Sequence, residues 1–396
     1  MSLRENLQSR YLRSNLLVVI ITALLMPSLI FAQTKQSMEE KRKDANFHIA
    51  NMTNLGIKAL RELSKGEKNA VVCPLLLYNS LSLLLLGTEG QTAKEIEGVL
   101  GFEKKDLERW GKESKALLYS KEFEKSFLYK TEMSSPESVD VVHAYIDVAS
   151  RYYKTTFNKI PDNIVGVDEQ GRPLLYAEIL LNSKFISTWQ KPFNPEQTSD
   201  TYNFRLISGE FTRPKFMMQG GKFNYTEDST IQAVEKRYVN RDISIIYILP
   251  KGSNTIENII PLVSYEYLKA VIKELEILQG TIIIPRVKYE RKESLNGIVQ
   301  GWGIETVFKK KMADLSGMWP FPGYISNISL IESFEMNEEK TVAENEIKIE
   351  MVVTGSSPSK ETNKNTFTFL ADHPFFFIIY DKSNSLPLFI GVVYEP

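Results

Sequence analysis

The chain has 396 residues, of which 43% are hydrophobic, 24% charged and 11% aromatic. These fractions are those of a folded soluble protein and exclude collagen-like, disordered and polytopic membrane proteins. The 48 basic and 49 acidic residues give a net charge of −1, so nothing in the composition indicates a nucleic-acid partner. Length alone predicts two or three domains at about 150 residues each. The single cysteine, Cys73, excludes an intramolecular disulfide and a cysteine-rich metal site.

Residues 1–32 have the layout of a secretory signal peptide. An apolar run, Leu16–Leu25, is interrupted only by a threonine, and Ala32 is a small residue suited to the position before a cleavage site. The basic residues that precede the run are Arg4, Arg10 and Arg13. The run up to Ala32 is short for a membrane span and contains Pro27, so a signal anchor is the less favoured alternative. We expect a secreted, extracellular protein with no membrane segment once the signal is removed.

Secretion makes the Asn-X-Ser/Thr sequences relevant as N-glycosylation acceptors. Three asparagines fit this pattern: Asn51, Asn224 and Asn327. Asn327 lies in a stretch rich in isoleucine and leucine, which we expect to be buried. We therefore predict glycosylation at Asn51 and Asn224 only.

The predicted elements begin with helices and continue with strands. Hydrophobic periodicity predicts helices over residues 44–64, 75–86 and 92–100, the last opened by a capping box of Thr92 and Glu95. Predicted strands then cover residues 174–185, 204–211, 215–219, 223–225, 231–238 and 243–249. A helix over 258–278, a strand over 281–290 and a helix over 292–300 follow, and strands over 367–369, 375–380 and 388–393 close the chain. Helices and strands do not alternate strictly, which is typical of an α+β fold.

A polar segment, residues 338–366, separates two of the apolar strands. A connection of this length without structure of its own is usually functional or disordered. Its first half alternates, however, and Asn345 is the polar exception among the mostly small or apolar residues of one parity. Those residues are Thr341, Ala343, Ile347, Ile349, Met351 and Val353. This period of two predicts a strand with one buried face, so the segment could enter a sheet.

The sequence gives no positive reason to assign an enzyme. His48, His143 and His373 are scattered, without an HExxH motif or clustered carboxylates, so we expect no metal and no cofactor. No G-x-S-x-G elbow and no Walker A sequence is present. Cys73 lies in an apolar run, which favours a buried structural thiol over a nucleophile. A Ser-His-Asp triad stays open because geometry, not sequence, defines it.

Several blocks of the chain resemble, in order, those of the serpin family, and they extend over nearly the whole chain after residue 32. The blocks are Asn69–Leu75 with Gly87–Ile96, Trp189 with Pro192–Pro195, Ser244–Gly252, Gly303–Ile304 with Ala313–Gly317, and Phe369–Phe375 with Leu388–Gly391. The resemblance implies a single domain over residues 33–396. It further implies three β-sheets, eight or nine helices and an exposed reactive loop at about residues 338–366.

The resemblance also implies suicide inhibition of a serine protease. The protease cuts the loop and forms an acyl-enzyme, and the cut loop then inserts into a sheet as a new strand and distorts the protease. Counting along the loop from Glu338 places the reactive bond at Thr354–Gly355, which suits an elastase-like protease better than a trypsin-like one. The hinge residues implied are Glu338, Glu339, Lys340, Thr341, Val342 and Ala343. We expect the inhibitor to be a monomer.

Other residues depart from the inhibitory pattern of the family. Lys340 replaces a glycine and loses its backbone freedom, and Asn345 brings an amide to the inserting face, which costs about 1–3 kcal/mol if unpaired. Further departures, some in the loop and some where the sheet must open, are Ile347, Ile349, Cys73, Leu76 and Leu330. Two hypotheses therefore stay open. One is a secreted protease inhibitor, slightly favoured by the alternation, and the other is a non-inhibitory serpin that acts as a carrier, signal or binding protein.

Overall fold

The structure, a computed structural model, describes residues 47–118, 125–167, 173–240, 242–345 and 366–396. Residues 50–396 form one compact unit, and of the unit that precedes it, residues 1–49, only 47–49 are described. Within the described ranges no helix is both long and apolar enough to cross a membrane.

Eight α-helices lie in the described ranges, and the first, α1, covers residues 47–63. The others are Pro74–Leu86 (α2), Gly90–Leu100 (α3), Leu107–Leu118 (α4), His143–Tyr153 (α5), Ile256–Ile259 (α6), Tyr265–Lys273 (α7) and Asn296–Gly301 (α8). The leucine-rich α2 begins with Pro74 at a position whose backbone N–H needs no partner, and it is buried on nearly every side. A helix that is apolar all round belongs in the core, which is where α2 lies.

An eight-stranded sheet holds most of the apolar strands, in the order β1-β18-β17-β11-β10-β9-β12-β16. Its strands are Ala70–Val72 (β1), Phe216–Glu227 (β9), Ile231–Arg237 (β10), Ile243–Pro250 (β11), Glu276–Pro285 (β12), Thr366–Leu370 (β16), Phe375–Asp381 (β17) and Leu386–Val393 (β18). The long strand β9 joins two parts. Its residues 224–227 pair with β10 and its residues 216–225 with β12, so the sheet consists of two sheets that share β9.

A six-stranded sheet has the order β13-β14-β15-β6-β2-β3. Its strands are Phe127–Pro136 (β2), Thr155–Ile160 (β3), Glu178–Thr188 (β6), Val287–Ser294 (β13), Ser329–Met336 (β14) and Lys340–Asn345 (β15). Two small hairpins complete the described strands: Ile164–Val167 (β4) with Pro173–Leu175 (β5), and Phe204–Arg205 (β7) with Phe211–Thr212 (β8). The α+β class is confirmed, and the described ranges hold three main sheets and eight α-helices.

Several predicted elements differ from the structure. The helix predicted over residues 258–278 is two helices, α6 and α7. The second ends at Lys273, because from Glu276 the chain pairs with β9 as β12. The strand predicted over 281–290 is two strands, since β12 ends at Pro285 and β13 continues in the other sheet. The two strands predicted over 215–225 are one, since Gly220 and Gly221 pair within β9 instead of interrupting it.

Candidate functional site: the loop hinge in the six-stranded sheet

The first part of the predicted reactive loop is the strand β15, and it lies between β6 and β14. It is antiparallel to both neighbours. Lys340 is opposite Thr188 of β6 and Asn345 is opposite Ser183, while Thr341 is opposite Met336 of β14. The described end of the loop is therefore a central strand of the sheet and is paired on both sides.

The alternation of the hinge sequence matches the two faces of β15. Thr341 and Ala343 are 0% exposed, whereas Val342 lies half-buried on the other face. Ala343 is opposite Phe185 on β6 and Phe334 on β14, and both rings are buried. A larger side chain at position 343 would have to displace one of these rings, which overpacks the core.

A tight turn connects β14 to β15. The Asn337 carboxamide oxygen accepts hydrogen bonds from the backbone N–H groups of Glu339 at 3.0 Å and Lys340 at 3.1 Å, and Asn337 N–H donates to the Lys340 carbonyl. The non-glycine residues with positive φ in the described ranges are Glu67, Lys154 and Ser385. Residue 340 therefore does not need a glycine for the conformation it has here, which weakens the argument that Lys340 opposes insertion.

The side chain of Glu338 is held between two parts of the molecule. Arg286, which lies between β12 and β13, donates to Glu338 Oε1 from Nη2 at 2.7 Å and from Nε at 3.0 Å. Thr198 Oγ1 donates to the same oxygen at 2.5 Å. Burial would raise the pKa of Glu338, but the hydrogen bonds from Arg286 and Thr198 outweigh burial and lower the pKa below its ordinary value.

Trp189 anchors the segment around the turn. Its backbone N–H donates to the Glu339 carbonyl and its indole Nε1–H to the Asn337 carbonyl, each at 2.9 Å. The indole stacks on Tyr238 with centroids 4.6 Å apart and meets the Phe193 ring edge to face. Trp189 thus ties the end of β6 to the residues on which the hinge turns.

Cys73 and Leu76 lie buried where α2 begins. Burial raises the pKa of the Cys73 thiol to about 11, despite hydrogen bonding with Ser183 of β6 and with nearby backbone. Ser183 is the residue of β6 that is opposite position 345 of β15. The thiol is therefore next to the innermost described part of β15, and its burial supports a structural role over a nucleophilic one.

A buried ion pair, which the sequence did not reveal, lies one strand away. Arg291 of β13 is opposite Glu332 of β14, with 2.8 Å between Nη2 and Oε1. Glu332 Oε2 also accepts from the backbone N–H of Val71, and Arg291 donates to the Leu63 carbonyl. Burial raises the pKa of Glu332 to about 7, against the opposing effect of Arg291. The pair connects the six-stranded sheet to β1 and to α1.

The remaining predicted site residues are distributed as follows. The reactive bond Thr354–Gly355 and the bulky Ile347 and Ile349 lie outside the described residues. Leu330 is half-buried on β14, opposite Glu293. Asn51 lies half-buried in α1 and its amide donates to the Leu100 carbonyl, and the half-buried Asn224 amide of β9 contacts Glu235. In the described ranges no three His, Cys, Asp or Glu side chains group as metal ligands.

Curated relatives match most of this chain and nearly all of their own length. The intracellular coagulation inhibitor 2 of Tachypleus tridentatus is 24% identical over 94% of this chain and 97% of its own. The serine protease inhibitor 42Dd of Drosophila melanogaster is 27% identical over 85% and 94%. The leukocyte elastase inhibitor of Equus caballus is 28% identical over 90% and 100%.

Solved structures share the fold at low sequence identity. The cleaved serpin 42Da matches with a TM-score of 0.72 and 18% identity, over 88% of this chain and 98% of its own. The thermophilic serpin tengpin in its native state matches with a TM-score of 0.70 and 19% identity, over 88% and 94%. The family model described as Serpin (serine protease inhibitor) matches residues 50–163 and 154–396. Since these two matches cover almost all of the described fold, the chain belongs to the serpin family.

Proposed function

We propose that this serpin is a suicide-type inhibitor of a serine protease that acts by cleavage and insertion of its loop. The observation that carries the proposal is β15: the hinge is paired between β6 and β14, with its two small residues, Thr341 and Ala343, on the buried face. Because Thr341 and Ala343 already fit the buried face, the hinge needs no repacking at these two positions for insertion to continue.

Room for a longer insertion supports the same mechanism. Residues 178–182 of β6 pair with β2 on one side, and residues 329–332 of β14 pair with β13 on one side. Their opposite edges carry no strand within the described ranges. A loop released by cleavage could pair along both edges, and this gain in hydrogen bonds and burial would drive the reaction forward.

Incubation with a panel of serine proteases tests the proposal. We expect a covalent complex that survives SDS, with the mass of the protease joined to the longer serpin fragment. Ala343→Arg should turn the inhibitor into a substrate, because the arginine would enter the space between Phe185 and Phe334. Val342→Arg is the matched control, since residue 342 lies on the other face, and it should retain the complex. Cleavage of the wild type without a complex and without a rise in Tm would overturn the proposal.

The target we propose is an elastase-like protease that cleaves at Thr354–Gly355. A small side chain before the scissile bond suits the shallow pocket of such a protease, and relatives such as those of Equus caballus and Bos taurus are named leukocyte elastase inhibitors. Mass spectrometry of the released C-terminal fragment identifies the bond. Thr354→Arg should shift inhibition towards trypsin-like proteases. A C-terminal fragment that begins at a residue other than Gly355 would contradict cleavage at Thr354–Gly355.

We also propose that the protein is secreted and glycosylated at Asn51 and Asn224. Support comes from the signal-peptide layout of residues 1–32, although one relative carries "intracellular" in its name. Expression in a eukaryotic secretory host tests both points. We expect medium-borne protein with an N-terminus after Ala32 and a loss of mass on treatment with an N-glycosidase. Protein retained in the cells with its N-terminus intact would contradict secretion.

The second candidate function is that of a non-inhibitory serpin that binds a partner or carries a ligand. The ion pair Arg291–Glu332 favours it. Within the described ranges Glu332 lies on the part of β14 that pairs with β13 alone, and the pair fastens β13 and β14 to β1 and α1. Such fastening would resist the movement of strands that insertion requires. The same protease panel separates the two functions, since a non-inhibitory serpin is cleaved in its loop without forming a complex.

A further inference from the structure

A cavity opens where β9 separates from β10. The two strands pair only from Asn224 to Glu227 on β9, and nearer its start β9 pairs with β12 alone. The space between them has a volume of about 350 Å³ and is bounded by β9, the end of β10 and the segment that follows Trp189. Gly220 and Gly221 contribute no side chains to fill it. The cavity is distinct from the site that β15 forms with β6 and β14.

A buried lysine lines this cavity. Lys236 is 3% exposed, and its ammonium donates to the Gln219 side-chain oxygen at 2.6 Å and to the Lys191 carbonyl at 2.8 Å. It also lies over the rings of Phe193, 4.0 Å from the centroid, and Trp189, 4.9 Å from the centroid. No carboxylate of the described residues forms an ion pair with it. Burial, and to a lesser degree Lys191, lower the pKa of Lys236 to about 7. An ammonium in this environment gains free energy from any anion that approaches.

The other charged side chains of the cavity increase its positive potential. The basic residues in its lining are Lys191, Lys222, Lys236 and Arg237. Its one acidic residue, Glu235, is already engaged by Lys382, by the Asn224 amide and, at 3.6 Å, by Arg237. Lys191 and Lys222 are exposed at the opening, where an anion would first meet the cavity. Convergent cations around a recess with a low-dielectric wall concentrate multivalent anions.

We propose that this cavity binds a multivalent oxyanion of the phosphate or sulfate class, with Lys236 as its innermost contact and Lys191 and Lys222 at its mouth. The bound anion would supply a counter-charge to Lys236, which pairs with no carboxylate among the residues that the structure describes. Because the ammonium of Lys236 lies over the indole of Trp189, and Trp189 holds the carbonyls of Asn337 and Glu339, the ligand acts next to the anchor of the hinge. The same chemistry could come from free phosphate or from a phosphate ester.

Thermal unfolding of the full chain with added anions tests the site. At pH 7, sodium phosphate or pyrophosphate should raise Tm by about 2 °C above sodium chloride of equal ionic strength, once the anion exceeds its dissociation constant about tenfold. Tryptophan fluorescence should change over the same concentration range, because Trp189 lies beside the bound ion. Inorganic phosphate alone raising Tm would assign the site to free anions, and an equal rise with glucose 6-phosphate would extend it to phosphate esters. Both outcomes support the site.

Substitutions make the test specific. Lys236→Met keeps the length of the side chain and should abolish the phosphate-dependent rise in Tm. The double variant Lys191→Met with Lys222→Met should weaken binding about tenfold while keeping the fold, because both residues are exposed. Lys269→Met on the exposed face of α7 is the matched control and should respond as the wild type does. Equal effects of phosphate and chloride, or an undiminished rise in both Lys236→Met and the double variant, would overturn the proposal.

Discussion

Arg286 donates two hydrogen bonds to a single oxygen of Glu338, at the point where β14 turns into β15. The carboxylate is largely buried while the guanidinium is about half exposed. Glu338 also holds Phe193 through its backbone carbonyl, 2.9 Å from the Phe193 nitrogen. This contact fixes the turn from which the hinge enters the sheet, and its removal should affect both stability and the order of the hinge.

Glu338→Gln should lower the free energy of unfolding by about 1–3 kcal/mol, because the buried amide replaces a carboxylate that accepts from Arg286 and Thr198. The exposure of Arg286 keeps the effect towards the lower end of that range. Urea unfolding followed by circular dichroism measures it. Glu266→Gln, which weakens an exposed pair with Lys269 on α7, is the control and should cost less than about 0.5 kcal/mol. Equal losses in the two variants would contradict a special role for Glu338.

The pair Arg291–Glu332 should show strong coupling. Glu332→Leu alone should cost about 3–5 kcal/mol, since it leaves Arg291 buried beside an apolar group and the Val71 N–H without its acceptor. Arg291→Met together with Glu332→Leu should recover most of this loss, because an apolar pair suits the site. A double-mutant cycle by urea unfolding measures the coupling. Additive losses would show that the two charges act independently.

The free energy of unfolding should rise with pH between about 7 and 9 through Lys236. Burial, then Lys191, lower the pKa of Lys236 to about 7 in the folded protein, while the unfolded chain keeps an ordinary lysine pKa of about 10.4. The unfolded state therefore binds more protons over this interval. The free energy of unfolding should increase by about 2 kcal/mol between pH 7 and pH 9.

The matched comparison for Lys236 is between Lys236→Met and Lys269→Met, in buffers without phosphate or sulfate. Urea unfolding at pH 7 and pH 9 should show a smaller difference in Lys236→Met than in the wild type, and an unchanged difference in Lys269→Met. The same pH dependence of the free energy of unfolding in all three proteins would mean that groups other than Lys236 cause it.

Cys73 should be inert in the folded protein. Its side chain is buried, and burial raises the pKa of its thiol to about 11, so almost no thiolate is present at pH 8 and little of it is accessible. A thiol-reactive dye should label it only after unfolding in urea. Labelling of the native protein on the scale of minutes would show that the start of α2 opens, and would revive a reactive role for the thiol.

The strand character of the hinge could be predicted from its alternating sequence. The period of two from Thr341 onward predicts a strand with one buried face, and Thr341 and Ala343 do lie on such a face. The apolar runs of β11, β17 and β18 were likewise predicted, because central strands that are buried on both faces read as continuous hydrophobic segments.

The predicted capping box was wrong because its two residues hydrogen-bond with partners that are distant in the chain. Thr92 and Glu95 do not form a capping box at the start of α3. Glu95 instead accepts from the backbone N–H groups of Glu305 and Thr306, and Thr92 accepts from Asp314 N–H. The local sequence is the same whether these residues cap a helix or bind a distant segment. Only the position of that segment, more than 200 residues away, decides between the two.

The sequence by itself determined the family, the α+β class and the strand character of the hinge, because ordered motifs and hydrophobic periodicity are local properties. The tertiary structure decided that Lys340 needs no left-handed backbone, that Arg291 pairs with Glu332, and that Lys236 is buried among aromatic rings. These facts depend on register between strands and on burial, which arise only when segments distant in the chain pack together. The nearly neutral composition therefore gives no sign of the two buried charged sites, Arg291–Glu332 and Lys236, which form only when the strands pair and pack.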